Sequence, residues 1–430
     1  MTRLACLLLC GILPLAAAPA EKWVATWTAS VHGPYPAGNA SAQPNLRFAF
    51  PSAETGARDQ TFRLIVQPDI WGKRIRLHFS NAFGDRPVTF DGVYAGLHLS
   101  AGALVHGTNQ AVHFGGQAAV TIPPGEAIWS DPVDLRFASN AVLEGRKLAV
   151  SFHIAGESGR MTWHAKALTT SYLSAPGTGS SGRLENELAL PYTTTSWYFL
   201  DAVDVMAPVN TRVVVAFGDS ITDGTASTLN GDDRWPNALS RLLHAAYGNR
   251  VSVVNAGIGG NQVLGPAEYS VQKPFAGGPS AGQRLQRDVV GLSGISAVIW
   301  LEGINDFGAN ATAEAVEAGM REIVARLRKA IPGVCVIGAT LVSALGNTSA
   351  THGSAQEDEK RRALNTFLRT GGVFDSIADF DRATIDPETG EMRAAYIPDS
   401  TIGGAGDKLH PNRAGYMAMA ASIDLKLLLE

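Results

Sequence analysis

The stretch Thr211–Ser220, TRVVVAFGDS, decides the fold of the second half of this chain. It contains the continuous apolar run Val213–Phe217 and ends in Gly-Asp-Ser, and strands buried on both faces of a parallel sheet have such apolar runs. Three more apolar runs follow, at Val251–Val254, Ala297–Leu301 and Val334–Ala339. Segments with helical spacing of apolar residues, such as Val316–Leu327, lie between them. This alternation predicts a doubly wound α/β domain whose site lies at the carboxyl ends of its strands.

The first half of the chain has a different period. Apolar and polar residues alternate in it, as in Arg74–Phe79 and Leu148–Ile154. Strict alternation predicts antiparallel strands with one face in the core and one face in water. We therefore expect an all-β sandwich, jelly-roll-like in type, over residues 21–207, followed by the α/β domain over residues 208–430.

Composition and charge exclude two classes of protein. Of the 430 residues, 45% are hydrophobic and 17% are charged, whereas a disordered chain would combine low hydrophobicity with a large net charge. The 35 Lys and Arg residues stand against 39 Asp and Glu residues, which leaves a net charge of −4. Because proteins neutralise phosphates with an excess of basic residues, we expect no nucleic acid among the partners of this chain.

Residues 1–20 resemble a secretory signal peptide. Arg3 is followed by the apolar run Leu4–Leu15, which is too short to span a bilayer, and small residues then offer a cleavage site after Ala18 or Ala20. A buried N-terminal helix is the alternative interpretation. No later segment approaches the length of a membrane span. We therefore expect a mature protein that is secreted or periplasmic and is not inserted in a membrane.

Cysteine usage follows from this prediction. Cleavage would remove Cys6 and Cys10 and leave Cys335, in an apolar run, as the remaining thiol. One thiol cannot form an internal disulfide. We interpret Cys335 as a small packing residue, since a lone cysteine in a buried strand is far more often a hydrophobe than a nucleophile.

The first chemical signal is the serine at the end of the first apolar run. Gly218-Asp219-Ser220 directly follows a predicted parallel strand, so a tight turn would present the Ser220 hydroxyl and backbone N–H to a ligand. Alone the tripeptide is a weak signal, since a serine in this position can also cap a turn.

The second signal is Asp407-Lys408-Leu409-His410, just before the predicted last helix. A serine hydroxyl becomes a good nucleophile when a base removes its proton and a third group holds that base in one tautomer. Asp407 and His410 are three residues apart on a turn and can face the same side. With Ser220 they complete a candidate triad from two distant segments. For His410 alone, a solvated or structural histidine is the alternative.

Two further segments follow the next two strands. Gly260 lies in the glycine turn after Val251–Val254, and Asn305 follows Ala297–Leu301. The Gly260 N–H, the Asn305 amide and the Ser220 N–H could bind one substrate oxygen and so form an oxyanion hole. Taken singly, a plain glycine turn and an asparagine cap are the alternatives.

Four blocks of sequence, around Ser220, Gly260, Asn305 and Asp407–His410, have the order and spacing of functional residues in known enzymes. They resemble the blocks of the SGNH or GDSL hydrolase superfamily over residues 211–425. The resemblance implies a flavodoxin-like three-layer α/β fold without a metal or an organic cofactor. It also implies roles for five residues: Ser220 as nucleophile, His410 as base, Asp407 as its orienting group, and Gly260 and Asn305 as oxyanion donors together with the Ser220 N–H.

A longer set of residues is similar to a smaller group within that superfamily. Ala216–Gly224, Arg234–Pro236 and Asn255–Asn261 resemble a secreted subgroup of acylhydrolases or arylesterases. Members of that subgroup occur with xylan-degrading enzymes and carry a β-rich N-terminal region. The resemblance thus implies a small acyl ester or an acylated polysaccharide as substrate.

We therefore expect a secreted serine carboxylic-ester hydrolase that acts on short acyl esters, for example acetyl groups on plant polysaccharide. A carbohydrate-binding protein is one alternative, in which tryptophans of the β half stack on sugars and the hydrolase half is catalytically silent. A lipase or thioesterase with a preference for longer acyl chains is the other. We interpret Asp223, Glu302 and Asp306, beside the motifs, as hydrogen-bond partners that fix loops, with substrate contact as the alternative.

Overall fold

The computed structural model describes residues 20–139 and 143–429. The predicted signal peptide, apart from Ala20, lies outside these residues. The described chain has a β region, residues 20–208, and an α/β region, residues 212–429. Within the two described ranges, no helix is both long enough and apolar enough to cross a membrane.

The β region consists of short strands joined by turns. Its described strands are β1 (Glu21–Thr28), β2 (Arg58–Val66), β3 (Arg74–Ser80), β4 (Val88–Ser100), β5 (Ala103–Leu104), β6 (Gln110–Ala111), β7 (Val120–Ile122), β8 (Ala127–Trp129), β9 (Val133–Asp134), β10 (Leu148–Glu157), β11 (Trp163–His164), β12 (Ser171–Leu173), β13 (Tyr192–Thr194), β14 (Trp197–Tyr198) and β15 (Leu200–Pro208). One sheet has the order β1-β15-β3-β8, with β9 also paired to β3. A second sheet has the order β13-β12-β2-β10-β4-β5, with β6 and β7 also paired to β4.

The apolar faces of these two sheets pack against each other. The ring of Phe79 in β3 lies 5.3 Å, centre to centre, from Phe90 in β4 and from Phe152 in β10. Ile75, Leu77 and Phe79 are buried, as their alternation predicts. The strands of both sheets pair antiparallel. The prediction of an antiparallel, strand-rich first half is confirmed, and its jelly-roll arrangement stays a prediction.

One prediction about this region is wrong. The alternation in β10 predicts a wet face, yet Ser151 and His153 are buried like their apolar neighbours. The strand lies between β2 and β4, and loops cover its second face. Arg63 of β2, itself buried, donates to Ser151 Oγ at 2.8 Å and to the carbonyl oxygens of Gly102 and Leu184 in these loops. Polar residues can occupy both faces because hydrogen bonds satisfy them.

The α/β region is a parallel sheet with helices between its strands. The strands are β16 (Arg212–Gly218), β17 (Val251–Gly257), β18 (Ile295–Leu301), β19 (Cys335–Ala339) and β20 (Ser376–Ala378). The described helices are α1 (Ser220–Asp223), α2 (Trp235–Tyr247), α3 (Ala281–Leu285), α4 (Ile304–Gly308), α5 (Ala313–Ala330), α6 (Ala350–Gly353), α7 (Ala355–Thr370), α8 (Phe380–Thr384) and α9 (Arg413–Ala421).

The strand order of this sheet is β17-β16-β18-β19-β20, and each pairing is parallel. The second strand in sequence thus lies beside the first, and the third, fourth and fifth follow on the other side, as in flavodoxin-like folds. In α5, the stripe Val316, Met320, Ile323 and Leu327 is buried, as its spacing predicts. Cys335 is a free thiol that packs, partly buried, against the core. The predicted α/β fold is confirmed.

The two regions share an extended contact in which β1 lies against β17. The Ala25 N–H donates to Ser293 O at 2.9 Å, and Ala25 O accepts from Ser252 Oγ at 2.7 Å. Thr28 Oγ1 donates to Asn255 O at 2.8 Å. This contact brings loops of the β region next to the carboxyl ends of β16 and β17.

Candidate active site

Ser220 lies where β16 ends and α1 begins. A Cβ on Gly218, the last residue of the strand, would overlap Leu301 O and Thr222 Oγ1, so the close packing at this point requires glycine. Asp219 caps the short helix, since its Oδ1 accepts from the backbone N–H two residues on at 3.0 Å. Ser220 is held at the carboxyl edge of the sheet with 7% of its surface exposed.

Ser220, His410 and Asp407 form a continuous hydrogen-bonded chain. Ser220 Oγ lies 2.8 Å from His410 Nε2, and His410 Nδ1 lies 2.6 Å from Asp407 Oδ2. These atoms come from segments 190 residues apart. With Nδ1 donating to the carboxylate, Nε2 is left to accept the serine proton, which is the tautomer that a general base requires.

The turn that carries His410 is organised by Asp407 itself. Asp407 Oδ1 accepts from the backbone N–H groups of Leu409 and His410, at 2.9 Å each. Lys408, between Asp407 and Leu409, adopts a left-handed φ of 63°, and its Nζ lies 2.9 Å from Glu391 Oε2. The carboxylate thus orients the histidine through both its ring and its backbone.

The environment of Asp407 keeps it ionised. Partial burial by itself raises the pKa of the carboxyl, but the hydrogen bond and charge of His410 outweigh this effect and hold that pKa well below its usual range. The backbone N–H groups of Leu409 and His410 lower the pKa further. An ionised Asp407 can stabilise a positive charge on the imidazole.

The glycine turn after β17 adopts the conformation that its sequence implies. Gly260 has a φ of 86°, in the left-handed region that favours glycine. The N–H of the preceding Gly259 donates to Asp223 Oδ2 at 2.9 Å. Among the described residues, none accepts a hydrogen bond from the Gly260 N–H, so this donor is available to a ligand.

Asn305 reaches the same turn from α4. Its Nδ2 donates to Asn261 O at 3.0 Å, one residue beyond Gly260. Its Oδ1 lies 3.4 Å from His352 Nε2, which holds the amide group from its other side. The structure therefore brings Gly260 and Asn305 together at the carboxyl edge of the sheet, although neither is hydrogen-bonded to Ser220 within the described chain.

Two of the acidic residues beside the motifs, Asp223 and Asp306, fix loops through backbone N–H groups, as predicted, whereas Glu302 binds the side chain of a tryptophan in β18. Asp223 Oδ2 accepts from Gly259 N, Glu302 Oε2 accepts from Trp300 Nε1 at 2.7 Å, and Asp306 accepts from two backbone N–H groups after the glycine turn at 2.9 Å each. Burial raises the pKa of Glu302 to about 8 and that of Asp306 to about 6. For Asp223, the charge and hydrogen bond of a nearby histidine outweigh burial and lower its pKa.

Arg284 is a buried residue that sequence reasoning missed. Its side chain is 0% exposed and lies with its guanidinium 4.1 Å from the ring centre of Phe217. It donates to Gly218 O at 2.8 Å, to Ala256 O at 2.7 Å and to Asn261 Oδ1 at 2.6 Å. One side chain thus joins the ends of β16 and β17 to the glycine turn. No motif surrounds this arginine, so its spacing offered no signal.

The β region contributes three more residues that the sequence did not indicate. Asn39 Nδ2 donates to Gly259 O at 2.6 Å. His164 Nε2 lies 3.1 Å from Asp223 Oδ1, and Lys166 Nζ donates to Thr225 Oγ1. Burial lowers the pKa of Lys166. These contacts join residues that are 59 to 220 positions apart, so local patterns cannot reveal them.

The similarity of this chain to a known protein family lies in the α/β region. Residues 216–418 match the family described as GDSL-like lipase/acylhydrolase. An α/β hydrolase from the metagenome of Lake Arreo, Spain, is 24% identical over 49% of this chain and 92% of its own, with a TM-score of 0.36. An acetylxylan esterase from Geobacillus stearothermophilus is 21% identical over 51% of this chain and 95% of its own, with a TM-score of 0.36.

A third solved structure, a carbohydrate acetylesterase from Sinorhizobium meliloti, is 15% identical over 49% of this chain and 95% of its own, with a TM-score of 0.36. No protein with a curated function matches the sequence. The residues that match the family contain the whole set of predicted site residues: Ser220, Gly260, Asn305, Asp407 and His410. The chain therefore carries a domain of the GDSL-like lipase/acylhydrolase family and is a carboxylic ester hydrolase.

Proposed function

We propose that this protein hydrolyses esters through a covalent acyl-enzyme on Ser220. The observation that carries the proposal is the chain of two hydrogen bonds, 2.8 Å from Ser220 Oγ to His410 Nε2 and 2.6 Å from His410 Nδ1 to Asp407 Oδ2. The first distance lies in the range that direct proton transfer from nucleophile to base needs. The second is that of a hydrogen bond by which a carboxylate can hold the imidazole in one tautomer.

In the acylation step, His410 Nε2 takes the Ser220 proton as Oγ bonds to the ester carbonyl carbon. Asp407 stabilises the imidazolium that results. The negative oxygen of the tetrahedral intermediate would accept from the N–H groups of Ser220 and Gly260 and from Asn305 Nδ2. The bond from carbon to the alcohol oxygen then breaks, and His410 returns its proton to the leaving alcohol.

In the second step, the same imidazole activates a water molecule. The water oxygen bonds to the acyl carbon, its proton passes to His410, and the carboxylic acid is released when Ser220 Oγ recovers a proton. The two steps use the same donors for the oxyanion, because the intermediate has the same geometry in both.

We propose short acyl esters, for example acetyl esters of plant polysaccharide, as the substrates. The resemblance of Ala216–Gly224, Arg234–Pro236 and Asn255–Asn261 to the secreted acylhydrolase subgroup supports this choice. We also propose cleavage of residues 1–20 on secretion. The remaining chain would comprise a β domain over residues 21–207 and a hydrolase domain over residues 208–430.

A carbohydrate-binding protein with a silent hydrolase domain is less well supported. Trp27, Trp163 and Trp197 are buried in the β region. Trp23 and Trp129 lie on either side of Arg76, whose guanidinium is 4.8 Å and 4.2 Å from their ring centres. Three of these rings are buried and the other two, half-buried, contact an arginine, whereas stacking on a sugar requires an open face.

The test combines nucleophile labelling with a substrate panel. A fluorophosphonate probe should label the wild-type protein and fail to label Ser220→Ala, which should also lose turnover of p-nitrophenyl acetate. Ser422→Ala, which removes an exposed hydroxyl after α9, should behave as wild type. Turnover retained by Ser220→Ala would refute the proposed nucleophile. A panel from acetylated xylan through aryl acetates to long-chain esters then decides between the acetylesterase and lipase alternatives.

A further inference from the structure

The side chain of Asn39 contacts the peptide unit that carries a proposed oxyanion donor. Asn39 lies in the β region, in the segment between β1 and β2, and its Nδ2 donates to Gly259 O at 2.6 Å. Gly259 C=O and Gly260 N–H belong to one planar peptide group. The residue that holds the oxygen of this group therefore also affects the direction of its N–H.

The geometry of the peptide group makes this effect strong. In a trans peptide, the C=O and N–H bonds point in opposite directions from one rigid plane, so fixing the oxygen fixes the N–H. Here the plane lies between two glycines, and Gly260 has a φ of 86°. Because glycine populates positive and negative φ about equally, the backbone alone does little to prevent rotation of this peptide.

Asn39 also packs directly over the turn. A Cβ on Gly260 would lie 2.7 Å from Asn39 Nδ2, and a Cβ on Gly259 would lie 3.2 Å from Asn39 Cβ. A hydrogen bond to the carbonyl oxygen further polarises the peptide group and strengthens the N–H as a donor. Asn39 thus occupies the space beside both glycines. It contacts Gly259 O, the oxygen whose direction fixes that of the Gly260 N–H.

A second contact from the β region supports the preceding peptide of the same turn. Gly259 N donates to Asp223 Oδ2, and Asp223 Oδ1 lies 3.1 Å from His164 Nε2 in β11. The two peptide groups that flank Gly259 are therefore held by residues that depend on the β region, directly through Asn39 and indirectly through His164.

We propose that Asn39 is a positioning residue for the oxyanion hole, so that the β region is a working part of the esterase and not a separate binding module. The inference rests on the proposed function, in which the Gly260 N–H binds the oxyanion. Asn39 acts through Gly260 and need not touch the substrate. Its contribution is therefore to turnover more than to substrate affinity.

The test compares two substitutions at position 39. Asn39→Asp keeps the size and shape of the side chain but replaces the N–H donor by an oxygen that repels Gly259 O, whereas Asn39→Ala removes the side chain. We expect kcat for p-nitrophenyl acetate to fall by about tenfold to a hundredfold in Asn39→Ala, below the roughly 10²–10³ that loss of an oxyanion donor itself causes. In Asn39→Asp, kcat should fall at least as far. KM should stay nearly unchanged in both variants.

Two controls separate positioning from folding. Asn45→Ala removes an exposed asparagine from the same segment and should keep wild-type kcat. The affinity for a trifluoromethyl ketone, which forms a tetrahedral adduct with the serine, should fall in Asn39→Asp in parallel with kcat/KM, while the melting temperature stays that of wild type. The proteins are made in bacteria, because Asn39-Ala40-Ser41 is a glycosylation sequon and a sugar on Nδ2 would disturb the donor.

The outcomes distinguish this inference from the proposed function. If Ser220→Ala keeps its turnover, the proposed function fails whatever Asn39 does. If Ser220→Ala is inactive and Asn39→Asp keeps wild-type kcat and inhibitor affinity, the esterase proposal stands and the role of Asn39 is refuted. A loss in Asn39→Asp that Asn45→Ala shares would likewise refute it.

Discussion

His164 and Asp223 form a buried contact of 3.1 Å, between Nε2 and Oδ1, that joins the β region to the helix that begins with Ser220. Asp223 also accepts from Gly259 N, so the contact connects β11, α1 and the glycine turn. Both side chains are almost completely buried, at 3% and 2% exposure. A pair of this kind contributes to the unfolding free energy mainly because it gives a hydrogen-bond partner to a carboxylate that would otherwise be buried without one.

We predict that His164→Ala destabilises the whole chain. Leaving a buried acceptor without its partner costs about 1–3 kcal/mol of unfolding free energy. Urea unfolding of the variant at neutral pH should therefore show a lower midpoint than wild type. His106→Ala, which removes a fully exposed histidine paired with Glu185, is the control and should leave the midpoint unchanged. Equal midpoints for His164→Ala and wild type would contradict the prediction.

A second prediction concerns Asp407, the proposed orienting carboxylate. Asp407→Asn keeps the size of the side chain, but its amide can donate toward His410 Nδ1 and so favours the wrong tautomer. We expect kcat for p-nitrophenyl acetate to fall by roughly 10³–10⁴, as in other triads that lose their acid. Lys408, on the same turn as Asp407, forms an ion pair with Glu391. Glu391→Gln removes this ion pair and should lose little activity. Comparable losses in the two variants would show that the turn, and not the tautomer, had been disturbed.

A third prediction concerns the pH dependence of stability. Burial raises the pKa of Asp219 to about 7, and its Oδ2 is without a hydrogen-bond partner among the described residues. An unfolded aspartate titrates near ~3.9, so between these two values the folded state holds a proton that the unfolded state has released. This group therefore contributes a loss of stability as the pH rises from about 4 toward about 7.

Asp219→Asn should abolish that loss. The amide keeps an oxygen that can cap α1 and cannot ionise. As the pH rises, the unfolding free energy of the variant should increase relative to that of wild type, by an amount on the order of a few kcal/mol. Urea titrations across the range provide the measurement. Asp134→Asn, at an exposed ion pair, should show no such trend, and a flat difference for Asp219→Asn would disprove the assignment.

The fourth prediction concerns Arg284. Replacing it by methionine leaves Gly218 O, Ala256 O and Asn261 Oδ1 without this donor. It also removes one of the two arginines that pair with Asp288, while Arg287 stays paired with it. A buried oxygen left without its donor costs about 1–3 kcal/mol, and three such oxygens lose theirs here, so Arg284→Met should unfold at a much lower urea concentration than wild type.

The matched comparisons for this residue are Arg284→Lys and Arg326→Met. Lysine keeps the charge but lacks the planar fork of donors, so Arg284→Lys should recover little of the lost stability. Arg326 lies with half of its side chain exposed and donates to Gly282 O, and its loss should cost little. Full rescue by lysine would show that charge alone, and not the geometry of the guanidinium, is required.

Much of the α/β region follows from local sequence. The run Val213–Phe217 has no polar face, which by itself requires a strand covered on both sides. The stripe Val316–Leu327 can bury its apolar residues as a helix of this spacing. Once parallel strands and helices alternate, the carboxyl ends of the strands must meet at one edge, which is why Ser220 and Gly260 could be placed near each other.

The sequence by itself therefore indicated four strands of the parallel sheet, β16 to β19, and side chains suited to ester chemistry, because periodicity and strand-end motifs act over a few residues. It did not indicate β20, whose three residues, Ser376–Ala378, form no apolar run. The tertiary structure alone decided that β10 has no wet face, that Arg284 and Asn39 contact the glycine turn, and that His164 contacts Asp223, which binds that turn. Contacts over 59 or 220 positions form only when the β region packs against the α/β region, so no local pattern can indicate them.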